Sequence, residues 1–233
     1  MKGVLFDLDD TLYPERSFVD GGFRAVARFL APRVGRSAPS LAARLVELHD
    51  RDGRGRLFDT LLAELGRPDD PDLVLACLLV YRTHRPRLAP FPGVEEALDA
   101  LRAAGLRTGL VSDGHASVQR CKLRALGPVA RRLDVVVLTD ELGPDWWKPS
   151  PAPFRVACRL LDVESSEAAY VANDRRKDFT GARQAGLLTI RCGLRPDEGG
   201  GTMETVRGEE ADIVIGAFAS LPELLIRSLA AEA

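Results

Sequence analysis

"GVLFDLDDT", residues 3–11, decides how this chain is read: an apolar run from Gly3 to Phe6 leads straight into Asp7, Asp9 and Asp10. By composition the run is a short buried β-strand. Its ending is anomalous, because carboxylates packed this closely repel one another and must be neutralised or kept wet. A strand that ends so implies a positive partner at its tip.

Outward from that strand, the chain beyond about Gly93 alternates in a regular way. "GVEEALDALRAAG" places Val94, Leu98 and Leu101 at helical spacing and stops at Gly105, and "LRTGLVSDG" then reads as a strand ending in a polar turn. The helix "ASVQRCKLRALG", closed by Gly127, precedes the strand "DVVVLTD"; "APFRVACRLLDV" precedes "AAYVAND"; "RKDFTGARQAG" precedes "LLTIR". A last strand, "ADIVIG", leads into the terminal helix "LPELLIRSLAAEA", and "DEGGGT" at 197–202 reads as a mobile loop. Short apolar strands between amphipathic helices predict an α/β fold, a parallel sheet covered on both faces with right-handed crossovers. Residues 15–88 break the rhythm with helical runs such as "FRAVARFLAPRV" and "LVLACLLVYR" and no strand. The chain therefore reads as a Rossmann-like core of residues 1–14 and 89–233 with a helical insert at 15–88, bounded by prolines suited to a hinge pair.

Composition removes several function classes. The 233 residues carry a net charge of −2, with 45% hydrophobic and 28% charged residues, which describes an ordinary globular chain with no global attraction to nucleic acid or to an anionic membrane. There is no membrane-span pattern and no visible signal peptide, so the expectation is a cytoplasmic protein. Cys77, Cys121, Cys158 and Cys192 are far apart, lack metal-ligand spacing and read as small core residues in a reducing compartment. Nothing in the sequence sets an oligomeric state.

Ligands of open α/β sheets bind at the carboxyl ends of the strands, so the residues after each strand carry the argument. After the first come Asp7, Asp9 and Thr11; after the second, Ser112, Asp113 and Gly114; after the third and a loop, Lys148; after the fourth, Asn173, Asp174 and Asp178. Lys148 is one of only four lysines, with Lys2, Lys122 and Lys177. The set suits phosphoryl transfer: a hard divalent cation would relieve the carboxylate repulsion, one carboxylate can attack phosphorus, and a second two residues on can manage the proton. Hydroxyls of Thr11 and Ser112, with the amides of the turn after Ser112, would hold phosphate oxygens.

With these residues in place the chain resembles the phosphatases of the haloacid dehalogenase superfamily that carry a helical cap after the first strand. "DLDDT" is similar to the family's D-x-D-x-T nucleophile motif, "VSDG" to its second motif, "KPSPAPF" to its lysine motif and "ANDRRKDFTGARQAG" to its acidic motif, all in the family's order. The resemblance implies Asp7 as nucleophile, Asp9 as general acid/base and Lys148 as charge neutraliser. It also implies Mg²⁺ held by Asp7, the main-chain carbonyl of Asp9 and Asp174, with Asp178 a ligand through water or a partner of Lys148; the alternative register makes Asp178 the direct ligand.

Asn173 stands where the family usually has glycine, and would either crowd the site or add a hydrogen bond. Asp9 favours a phosphatase over a dehalogenase, since halide needs no protonation, and the lack of an obvious lysine in the insert disfavours a phosphonatase. The reading is a Mg²⁺-dependent phosphatase of a small phosphorylated metabolite (a sugar, nucleoside or polyol phosphate) acting through an aspartyl-phosphate, with a sugar-phosphate mutase or a non-catalytic binding protein as alternatives. "RDGRGR", residues 51–56, reads as a solvated loop or as an arm whose Arg54 meets substrate; His115 as a helix start or a leaving-group contact; and Trp146 and Trp147 as packing or pocket lining.

Overall fold

The computed structural model describes residues 1–175, 177–192 and 211–230; the glycine-rich stretch at 197–202 lies outside them. In chain order the elements are β1 (Gly3–Phe6), α1 (Glu15–Val34), α2 (Ala38–Asp52), α3 (Leu57–Glu64), α4 (Pro71–Thr83), α5 (Val94–Ala103), β2 (Arg107–Ser112), α6 (Ala116–Ala125), α7 (Gly127–Ala130), β3 (Val135–Leu138), α8 (Ala152–Leu161), β4 (Ala168–Ala172), α9 (Phe179–Ala185), β5 (Leu188–Arg191), β6 (Ile213–Val214) and α10 (Leu221–Ala230). Gly127 was expected to end a helix; it instead opens the short α7, because Pro128 at the start of a turn needs no amide donor there.

The strands form one parallel sheet in the order β3-β2-β1-β4-β5-β6, the α/β architecture that the alternating pattern predicts. β1 and β4 are buried along their whole length, which is why they read as unbroken apolar runs rather than as alternating ones. Strand order reverses at β1, so crossovers leave it in opposite directions and a crevice opens beyond its carboxyl end. Phe6 is level with Leu110 on β2 and Val171 on β4. The residues that follow these three strands consequently emerge side by side.

The chain divides into two compact units, Met1–Pro14 with Ala89–Ala233, and Glu15–Leu88. The first has a core of Leu5, Val111, Phe154, Tyr170, Phe179 and their neighbours between sheet and helices. The second is helical, with Val19, Phe23, Val26, Leu45, Leu48, Phe58, Leu61 and Cys77 at its centre. In it Gly22 of α1 is obligatory: a Cβ there would lie 2.4 Å from the Tyr81 ring of α4. Within the first unit the outgoing and returning chain are tied together, Phe91 N–H donating to the carbonyl of Leu12 at 3.0 Å.

Candidate active site

Asp7 follows β1 directly, its N–H donating to the Val171 carbonyl at 3.0 Å. Leu8, on the opposite side of the chain, is buried in the core, so Asp7 and Asp9 face the same way. Left-handed backbone at Asp10 then turns the chain, and Leu12 N–H closes the turn on the Leu8 carbonyl at 3.0 Å.

Three elements meet at Asp7. The Lys148 ammonium donates to Asp7 Oδ1 at 2.7 Å and to Asp178 Oδ1 at 2.6 Å, with the Tyr170 hydroxyl at 3.0 Å. Asp178 also accepts from Tyr170 Oη at 3.2 Å and, through Oδ2, from the Asp174 N–H at 3.1 Å. Asp7, Lys148 and Asp178 are all buried. Two carboxylates share one ammonium, and the consequence is electrostatic: loss of water pushes the Asp7 carboxyl up to about 7, against the pull of Lys148 and with the help of Asp178. Burial alone would lower Lys148, but Asp7, Tyr170 and Asp178 raise it well above its ordinary value, so it stays a cation.

Glycine lets these elements meet. A Cβ on Gly181 of α9 would lie 2.2 Å from the Pro149 carbonyl oxygen and 2.8 Å from that of Ser150, so the bare backbone allows the helix behind Asp178 to rest on the loop carrying Lys148.

Asp9 has its own lysine. Lys122 of α6 donates to both carboxylate oxygens, at 2.8 and 2.7 Å, while the Tyr13 hydroxyl reaches Oδ1 at 2.5 Å and Gln119 Nε2 reaches Oδ2 at 3.0 Å. Burial pushes Asp9 up, yet Lys122, Tyr13 and Gln119 outweigh it and hold the carboxyl below the usual range. Gln119 Nε2 also reaches Ser112 Oγ at 2.9 Å and the Asp113 carbonyl at 2.5 Å.

The structure thus brings Asp7, Asp9, Ser112, Lys148, Asp174 and Asp178 to the carboxyl edge of the sheet, and it redirects other residues that the sequence pointed to. Thr11 is fully buried and its hydroxyl donates to Asn173 Oδ1 at 3.2 Å, which makes Asn173 a hydrogen-bond partner and turns the Thr11 side chain inward. The Asp113 carboxylate accepts from Thr139 Oγ1 at 2.8 Å and the Lys148 N–H at 3.2 Å, so this side chain braces the loop whose main-chain amides the sequence offers to phosphate. Gly114 has the positive φ that the turn after Ser112 demands. Arg54, expected to meet substrate, belongs to the helical unit, where it is exposed and ion-paired with Glu15. His115 is an exposed helix start, Trp147 is exposed and Trp146 half-buried. Four residues escaped sequence reasoning: Tyr13, Gln119, Lys122 and Tyr170. The legible signal was on α6, where Gln119 and Lys122 occupy the buried face beside Val118 and Leu123, polar groups where the periodicity calls for apolar ones.

Among the described residues no three His, Cys, Asp or Glu side chains group as a metal-ligand set. The candidate ligands are all oxygens, and the carboxylates of Asp7, Asp9, Asp174 and Asp178 outnumber the two ammoniums of Lys148 and Lys122 that pair with them; that chemistry fits a hard cation taking one or two carboxylates and completing its shell with main-chain oxygen, water and phosphate.

A haloacid dehalogenase-like hydrolase model matches residues 1–186. The chain belongs to that family. This hydrolase is 36% identical to a glyceraldehyde 3-phosphate phosphatase of Methanopyrus kandleri over 82% of its own length and 83% of the relative's. It is 31% identical to a plasmid-borne phosphoglycolate phosphatase of Cupriavidus necator, covering 95% of this chain and 92% of the other. Among solved structures, a 2-haloacid dehalogenase from Pseudomonas syringae superposes with a TM-score of 0.65 at 29% identity, over 98% of this chain and 99% of that one.

Proposed function

We propose that this hydrolase is a Mg²⁺-dependent phosphatase of small phosphomonoesters. The observation that carries the reading is the pair of carboxylates on one turn, Asp7 and Asp9, each with a different buried lysine. Asp7 attacks phosphorus and displaces the alcohol, giving an acyl phosphate on its own carboxyl; Asp9, in its protonated form, delivers the proton that the leaving oxygen needs and is left as the carboxylate. Asp9 then takes a proton from water as that water attacks the same phosphorus, releasing inorganic phosphate and restoring Asp7. Lys148 draws charge from the phosphoryl oxygens. Ser112 accepts a hydrogen bond from Gln119, which leaves its hydroxyl proton to donate to a phosphate oxygen.

Mg²⁺ would be held by Asp7, Asp174 and the main-chain oxygen of Asp9, and supplies charge neutralisation at the phosphate. Asp174 is the direct ligand in this reading, because both Asp178 oxygens are engaged, by Lys148 with Tyr170 and by the Asp174 amide. The helical unit serves as a cap that limits substrates to small molecules, consistent with its insertion directly after the nucleophile turn. The two curated relatives act, by name, on short phosphorylated metabolites, which favours glyceraldehyde 3-phosphate and phosphoglycolate as first candidates.

The likeness to a haloacid dehalogenase raises halide displacement as a second reading, in which Asp9 and its lysine have no proton to manage. Phosphate release from sugar, nucleoside and short polyol or acid phosphates, with Mg²⁺ or chelator and with Asp7→Asn as control, tests the first; halide release from 2-chloropropionate tests the second. Phosphate release needing both metal and Asp7 is the expected result, and halide release without phosphate release rejects the proposal.

A further inference from the structure

α6 presents Gln119 and Lys122 one turn apart, both buried, on the face turned to the catalytic loops. Between them they engage Asp9 from the first loop and Ser112 and Asp113 from the second. We propose that Gln119 and Lys122 are positioning residues of the reaction, holding the Asp9 carboxylate beside Ser112 and clear of Asp7. The inference rests on the acid/base reading of Asp9.

The geometry is specific. Lys122 bridges both Asp9 oxygens, Tyr13 completes Oδ1 and Gln119 completes Oδ2, so the lone-pair positions of the carboxylate are filled and its rotamer is set from three directions. Asp7 and Asp9 stand two residues apart, and one lysine for each keeps them from competing for Lys148.

The Gln119 amide orientation follows from its surroundings. Nε2 faces a carboxylate, a hydroxyl and a carbonyl, whereas buried Oε1 has no hydrogen-bond partner. Flipping the amide would set Oε1 against two acceptors. The side chain is therefore recruited as a donor, and with Ser112 and Asp113 also within reach it can yield its place on Asp9 to water or a leaving alcohol without being left bare.

The experiment is a double-mutant cycle on phosphate release from a substrate found active in the panel above. Lys122→Met should lower kcat about 10- to 100-fold, toward the size of a lost acid/base contribution, while KM moves less than about threefold. In an Asp9→Asn background the same change should add less than about threefold, because a residue that acts through Asp9 has nothing left to position. A structural role would instead multiply the two losses. Multiplying losses, or a Lys122→Met enzyme with wild-type kcat, overturns the proposal. Should Lys122→Met fail to fold, Gln119→Leu keeps the ion pair and should cost about three- to tenfold in kcat, an effect again absent beside Asp9→Asn; equal losses in both backgrounds reject the role. Near-normal turnover of Asp9→Asn itself would sink the acid/base reading, an outcome separate from a crippled Asp9→Asn with an indifferent Lys122.

Discussion

In the α/β unit, Lys148 pairs with Asp7 and Asp178 through side chains no more than 3% exposed, and Lys122 meets Asp9 with 5% and 18% of the two side chains exposed. In the helical unit, Arg44 pairs with Glu64 at 36% and 38% exposure and Arg16 with Asp50 at 46% and 53%. Both sets have good geometry, yet their energetics are opposite in kind. A surface pair exchanges water for a partner at little net gain, whereas a buried pair has given up its water and depends on every remaining hydrogen bond. Buried charge on this scale adds no stability over an apolar core, and its placement at strand ends is what makes this edge the candidate site.

The contrast is open to test from its largest expected effect downward. Asp7→Asn should lower phosphate release by about 10⁴-fold or more while leaving the far-ultraviolet circular dichroism unchanged; near-normal turnover removes Asp7 from the mechanism. Lys148→Met leaves Asp7 and Asp178 facing each other without a counter-charge and should cost about 3–5 kcal/mol in urea unfolding, as for a broken buried pair. A cost under about 1 kcal/mol, the value of a surface pair, would erase the distinction between the two regions.

Gly181→Ala should destabilise by about 1–3 kcal/mol through overpacking against the Pro149–Ser150 main chain and weaken activity by displacing Lys148. An unchanged melting temperature would show that the close approach is not needed.

Acidity probes the same pocket. Asp7 rises from 3.8 to about 7, so between these values the native metal-free protein keeps a proton that the unfolded chain has released. Stability contributed at Asp7 therefore falls as pH climbs through that window, and the difference in urea midpoint between wild type and Asp7→Asn should track it. Asp9 runs the other way: its depressed carboxyl adds stability above its unfolded value, which is lost as pH falls. A wild-type advantage that grows with pH in the chelated protein contradicts the Asp7 assignment. Smallest of all, Arg44→Ala in the helical unit should change stability by only about 0.2–1 kcal/mol, read from urea midpoints, and less at high salt.

Much of this was legible before any coordinates. The strand–helix alternation predicts the parallel sheet because buried strands and amphipathic helices leave local periodicities, and each strand-end cluster is contiguous in the chain. Asp7, Asp9, Ser112, Lys148 and Asp174 could be found for that reason. The side-chain partners of Thr11 and Asp113 were not legible, because Asn173 and Thr139 lie far away in the chain and meet them only across the fold.

The amino-acid order alone predicts that carboxylates, a hydroxyl and a lysine gather at one sheet edge, since strands of a parallel sheet all point the same way and deliver the residues after them to their common carboxyl end; that β1 lies between β2 and β4 is decided by the tertiary structure. Which lysine serves which carboxylate is a matter of three dimensions. Lys122 lies 113 residues from Asp9 and Lys148 lies 141 from Asp7, so neither pairing leaves a local pattern. Each arises because desolvated charges accept only partners that the packed helices and loops carry within hydrogen-bond reach.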